Sequence, residues 1–202
     1  MQYPDFYSQV TPIKLYDPLS DFLGAFTQGV LEITYLDCVK LAGHSCPTVA
    51  GAYLMAAIGI DTLYGDTLPQ RGSIRVEMKE HESTGVTGVT ANIISFILGA
   101  GGVGGFKGIQ GNFSRDNLLF YGAPIVSEVR LTRLDTMQSV NLSYDPSVVI
   151  ADEKMKPLMG KNLKGLASKE EQKMFHTLWQ KRVEEILLST DMHDKLITIT
   201  KD

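Results

Sequence analysis

From Pro47 to about Leu63, small and apolar residues fall on every side of a helical projection: Val49, Ala50, Ala52, Leu54, Met55, Ala56, Ile58 and Ile60 among them. A helix apolar all round has no face to offer water, so it must lie deep inside the fold. Its start is marked by Gly43-His44-Ser45-Cys46-Pro47 and its end by Gly65. Pro47 suits the first helical position, where its missing N–H has no partner to lose. Cys46 then falls at or beside the N-cap, where free N–H groups and the helix dipole favour an anion. A cysteine so placed tends toward the thiolate, the form that attacks electrophiles and binds metals.

The rest of the chain divides by its periodicities. Pro4, Pro12 and Pro18 give the first eighteen residues the look of an extended arm. Leu19, Phe22, Leu23 and Phe26 share a helical face, and Val30, Ile33, Leu36 and Val39 form a second stripe, with Gly29 between them. Residues 72–79 alternate, with Ile74, Val76 and Met78 opposite Arg75, Glu77 and Lys79, as in a half-buried strand. Val86, Val89, Ile93 and Ile97 repeat at helical spacing before Gly99. Strands are expected at 117–121, 127–134 and 138–144, with a hairpin turn over 135–138. Ser168 and Glu171 make a capping box for a helix to about Leu188. Residues 196–200 suit a short strand. This order predicts an α+β fold over 1–202, a mixed or antiparallel sheet packed with helices. The isolated last helix either folds back on its own chain or exchanges with a partner subunit.

Charge excludes some partners. The formal net charge is −4 with no basic block, which argues against nucleic acid. No apolar run reaches the ~20 residues of a membrane span. The N-terminus carries no signal-peptide pattern, and two cysteines do not make a disulfide framework, so a reducing, cytoplasmic setting is expected.

An imidazole and a soft sulfur two residues apart suit zinc or another late transition metal. His44 and Cys46 are therefore candidate ligands, and His81, at the end of the strand over 73–80, is the best third. Cys38 reads as core, and His176 and His193 as surface. Gly99-Ala100-Gly101-Gly102-Val103-Gly104 matches a dinucleotide fingerprint in letters only, because the segment before it reads as helix and the segment after it is broken by glycine. It remains a place where backbone can approach a ligand or another subunit closely. Arg130, Arg133 and Lys107 are either anion binders or ordinary solvated charges; the charged clusters at 152–156 and 169–173 read as solvated faces.

The stretch Tyr35-Leu36-Asp37-Cys38-Val39-Lys40-Leu41-Ala42-Gly43-His44-Ser45-Cys46-Pro47, with the small-apolar helix after it, resembles the FmdE family, named after a component of formylmethanofuran dehydrogenase. Members show a Gly-His-x-Cys-Pro core between two helices, and Gly51-Ala52-Tyr53 nearly matches their Gly-Tyr step. The likeness is good over about 33–60, general to about 122, and one of outline beyond. It implies an α+β protein that pairs as an intertwined homodimer and binds zinc at His44 and Cys46, within the C1 metabolism of the enzyme that gives the family its name. Two features depart from the family: no cysteine stands in 98–108, where members carry one, and no four-cysteine ribbon follows.

Three functions follow as expectations. The first is a zinc-like site at His44, Cys46 and His81 or a water, beside a small organic substrate or cofactor. The second is a metal-free thiol enzyme, with Cys46 as nucleophile and His44 as base. The third is an accessory module with a structural metal.

Overall fold

The computed structural model describes residues 2–201. Helices and two sheets, one of them mixed, give the expected α+β architecture. Its centre is α3 (Pro47–Tyr64), with Cys46 as an extended N-cap, Pro47 in the first turn and Gly65 as the C-terminal stop. Twelve of its eighteen residues are buried, which explains why it offers no polar face. Two glycines set its distance from the sheet. A Cβ on Gly51 would overlap the Tyr144 ring, and one on Gly59 would come within 2.6 Å of Leu131. With glycine there, the helix lies directly on the strands.

Those strands form a five-stranded sheet in the order β4 (Leu119–Phe120), β3 (Ile74–Met78), β5 (Val129–Arg133), β6 (Ser139–Tyr144), β7 (Ile197–Lys201). β3 runs parallel to β4, and the other pairs are antiparallel. The alternation over 72–79 holds: Ile74, Val76 and Met78 are buried, while Arg75 and Glu77 are half-buried. Leu131 and Val140 face each other across the β5–β6 hairpin. The hairpin turns through Met137 at φ 59°.

The N-terminal third departs from the sequence reading. The expected extended arm is not extended throughout: residues Asp5–Gln9 make a 3-10 turn that buries Phe6 and Tyr7. β1 (Ile13–Tyr16) pairs antiparallel with β2 (Val30–Ile33). Val30 and Ile33 are thus strand, not helix; four residues are too few to separate the two periods. α1 (Pro18–Leu23) is short, capped by Asp17, and buries no residue, so the Leu19–Phe26 stripe is not core. Phe22 and Leu23 are exposed. α2 (Tyr35–Ala42) starts at a Thr34–Asp37 capping box and ends at Gly43 in the left-handed region.

α4 (Thr87–Leu98) is the helix expected there and packs on α3, and Gly99 is its left-handed C-cap. The glycine-rich chain then folds on itself. Gly101 N–H donates to the Arg115 carbonyl (2.7 Å), and Arg115 N–H donates to the Phe106 carbonyl (2.8 Å). It follows a helix and opens none, so the match to the dinucleotide fingerprint is one of letters only, as expected. The sequence reading missed α5 (Met155–Leu163), whose Pro157 and Gly160 hide its period. α6 (Lys169–Leu188) starts at the Ser168–Glu171 box and folds back on its own chain against α3. α7 (His193–Leu196) leads into β7. No helix among the described residues is long and apolar enough to cross a membrane.

Candidate functional site around His44

The segment 43–47 is held from behind by three elements. Tyr35, fully buried in α2, shares a hydrogen bond of 2.9 Å with the Ser45 hydroxyl. Trp179 in α6 donates its indole N–H to the Ser45 carbonyl at 2.9 Å. Tyr144 in β6 donates its hydroxyl to the Pro47 carbonyl at 3.0 Å. Burial raises the Tyr35 and Tyr144 phenols well above their ordinary range, so both stay neutral at physiological pH.

The two chemistry-bearing side chains of this segment differ in burial. Cys46 is 9% exposed and belongs to the apolar core, beside the phenols of Tyr35 and Tyr144. His44 is exposed, and its Nδ1 lies 3.0 Å from the Ala42 carbonyl. A carbonyl only accepts, so Nδ1 carries the proton and Nε2 of the neutral ring is left with a lone pair.

His44 lines a cleft of about 550 Å³ between the end of α2, one side of α4, and the loop after Gly99. Its walls are mainly apolar, with Leu41, Ile93, Phe96 and Phe106. Asn92 and Ser95 are its neutral polar side chains, and Arg71 and Arg115 close its inner end. This size and mixture suit a small organic molecule.

Beneath the arginines lies Asp17, 1% exposed. It caps α1 by accepting from the Leu19 and Ser20 N–H groups at 3.0 Å, and it also accepts from Arg71 (3.1 Å) and Arg115. Burial pushes its carboxyl up. The hydrogen bonds from Arg115, the Ser20 N–H and Arg71 outweigh burial and hold it at about 2. Arg71 also donates to the last carbonyls of α4, Phe96 (2.7 Å) and Ile97 (3.1 Å). It thus neutralises the negative end of that helix.

The other expected residues lie elsewhere. His81 is exposed in the turn after β3, with its ring against Gly122, and it does not line the cleft. Among the described residues, no three His, Cys, Asp or Glu side chains stand together as a metal site. His44, Cys46 and His81 therefore do not form one group. Cys38 is core as expected, and burial pushes its thiol up to about 12. His176 is exposed as expected, whereas the Nε2 of His193 is buried without a hydrogen-bond partner.

The charges singled out in the sequence are paired. Arg130 bonds Glu77 through two nitrogens (2.7 and 2.9 Å). Arg133 bonds Asp135 and lies 4.0 Å over the Tyr64 ring. Lys107 bonds Asp116 at 2.7 Å. The cleft's own cations, Arg71 and Arg115, went unnoticed because they come from loops with no local pattern. No known family model matches the chain, and no curated protein matches it.

Proposed function

We propose that this protein binds, and acts on, a small organic molecule in the cleft beside His44, with the His44 Nε2 as the atom that meets the ligand. One observation carries this reading. The Ala42 carbonyl fixes the proton on Nδ1, so the lone pair is presented by a ring that lines the cleft. The loop behind is held by Tyr35, Trp179 and Tyr144, so little ordering is left for the moment of binding. A neutral imidazole with a defined acceptor nitrogen can take a proton from a bound ligand or accept a hydrogen bond from it. The likeness at 33–60 would put the ligand among the molecules of C1 metabolism.

A crystallographic fragment screen tests the reading. Hits are expected in the cleft, in contact with His44 and Asn92. Hits confined to the other cavities, such as the one beside Tyr53 and His193, would overturn it.

The second reading is a zinc-like ion on His44, with Cys46 as a further ligand. A metal-bound histidine usually donates its other ring nitrogen to a carbonyl, as His44 does to Ala42. The remaining donors would have to come from a second copy of the chain, in an intertwined homodimer, or from the ligand. Metal analysis of protein purified without a nickel column tests this. A stoichiometric ion lost in both His44→Ala and Cys46→Ser supports it, and sub-stoichiometric metal unchanged in both removes it. The free thiols at Cys38 and Cys46 suit a reducing, cytoplasmic compartment.

A further inference from the structure

We propose that the molecule bound in the His44 cleft carries one carboxylate, and that Arg115 binds it. This rests on the cleft being a small-molecule site.

Charge is the first argument. The chain has 23 acidic and 19 basic residues, yet no Asp or Glu lines the cleft, whereas Arg71 and Arg115 both do. Two guanidiniums against the single ionised carboxylate of Asp17 leave one positive charge at the inner end. A monoanion neutralises it. A phosphate dianion would leave a negative charge behind in a mostly apolar cleft.

The donors distinguish the two arginines. Arg71 uses all three of its nitrogens within the fold: Nε, Nη1 and Nη2 donate to Ile97, Asp17 and Phe96. The Arg115 side chain gives Nη2 to Asp17 and has no other partner among the described residues. Its Nε, its Nη1 and the second hydrogen of Nη2 remain, which leaves one edge of two parallel N–H groups, Nη2 with either Nε or Nη1, and such an edge matches a carboxylate.

The backbone is shaped for this. Arg115 is fixed at both its N–H and its carbonyl by the glycine-rich loop. Gly99 leaves the room: a Cβ there would come within 2.8 Å of Arg115 Nη1 and 3.0 Å of Arg71 Cγ. Phe96 and Phe106 offer apolar surface to the remainder of the ligand. A ligand with its carboxylate on Arg115 and its body along these walls would lie in the same cleft as His44.

The test titrates the 15N-labelled full chain with benzoate, phenylacetate and hexanoate and with the matching neutral amides. Binding is read from the amide signals of Asn92, Gly99, Gly101 and Gly105. Each acid should bind about tenfold or more tightly than its amide, as one charge-assisted pair allows. In Arg115→Met that preference should fall to about unity with amide binding retained. Arg115→Lys, which keeps the charge, should retain part of it, and it carries the test if the methionine variant does not fold. Equal binding of acids and amides in the cleft would overturn the carboxylate assignment and leave the cleft reading intact. Phenyl phosphate binding more tightly than benzoate would also overturn it. Failure of acids and amides alike to perturb the cleft signals would overturn both readings.

Discussion

Trp179 donates its indole N–H to the Ser45 carbonyl at 2.9 Å, across 134 positions of chain. The last long helix thus grips the backbone of the segment that carries His44. Tyr35 and Tyr144 complete the grip, and the imidazole is the part of the loop left facing outward.

Trp179→Phe keeps most of the ring's packing and removes the donor. The carbonyl of Ser45, a buried residue, would be left with Gln180, which reaches it only at 3.5 Å. A loss of about 1–2 kcal/mol is expected in chemical denaturation. Faster hydrogen exchange at residues 44–46 and weaker ligand binding should accompany it. Unchanged exchange there would mean that the indole contact does not hold the loop.

His44→Ala should separate function from stability. The side chain is exposed, so its removal should change unfolding free energy by no more than about 0.5 kcal/mol. Ligand affinity or turnover should fall. A large drop in stability with intact binding would assign His44 a structural role.

Gly51→Ala sets two effects against each other. Alanine gains about 1 kcal/mol of helix propensity over glycine. Its methyl group would overlap the Tyr144 ring, whose hydroxyl also holds Pro47. Overpacking of that kind costs about 1–3 kcal/mol, so net destabilisation is expected in thermal unfolding, together with movement of the His44 loop. A stabilised variant would show that α3 does not press on β6 as described.

Asp17 governs the acid limb of stability. Its carboxyl titrates at about 2 in the folded protein, against about 3.9 in an unfolded chain. A depressed carboxylate contributes stability that is complete above the unfolded value and disappears as pH falls through the folded one. The contribution is about 2–3 kcal/mol at neutral pH, lost between roughly pH 5 and pH 1. Asp17→Asn should destabilise the protein at pH 7 and flatten this part of the profile in urea unfolding across pH. An acid limb as steep in the variant as in the wild type would place the titration elsewhere.

How legible the molecule was in its sequence depended on how local each signal is. α3, α4, α6 and the β5–β6 hairpin could be read because periodicity, caps and turn residues lie within their own windows. β1 and β2 could not, since four-residue strands show their period only when paired. The site divides in the same way. Gly43 to Pro47 announces itself by composition. Arg71, Asn92 and Arg115, from three separate segments, meet His44 only in the folded cleft. The different burial of His44 and Cys46 was also hidden: spacing brings two residues near each other, but the packing around the loop decides which side chain is covered.

Long-range 1H–15N NMR of the His44 ring tests the central claim most directly. A single tautomer of the neutral ring is expected, with the proton on Nδ1 and Nε2 as a lone-pair nitrogen, and the Nε2 signal should move when the cleft is filled. A ring protonated on Nε2, or one averaging freely between tautomers and indifferent to cleft ligands, would contradict it.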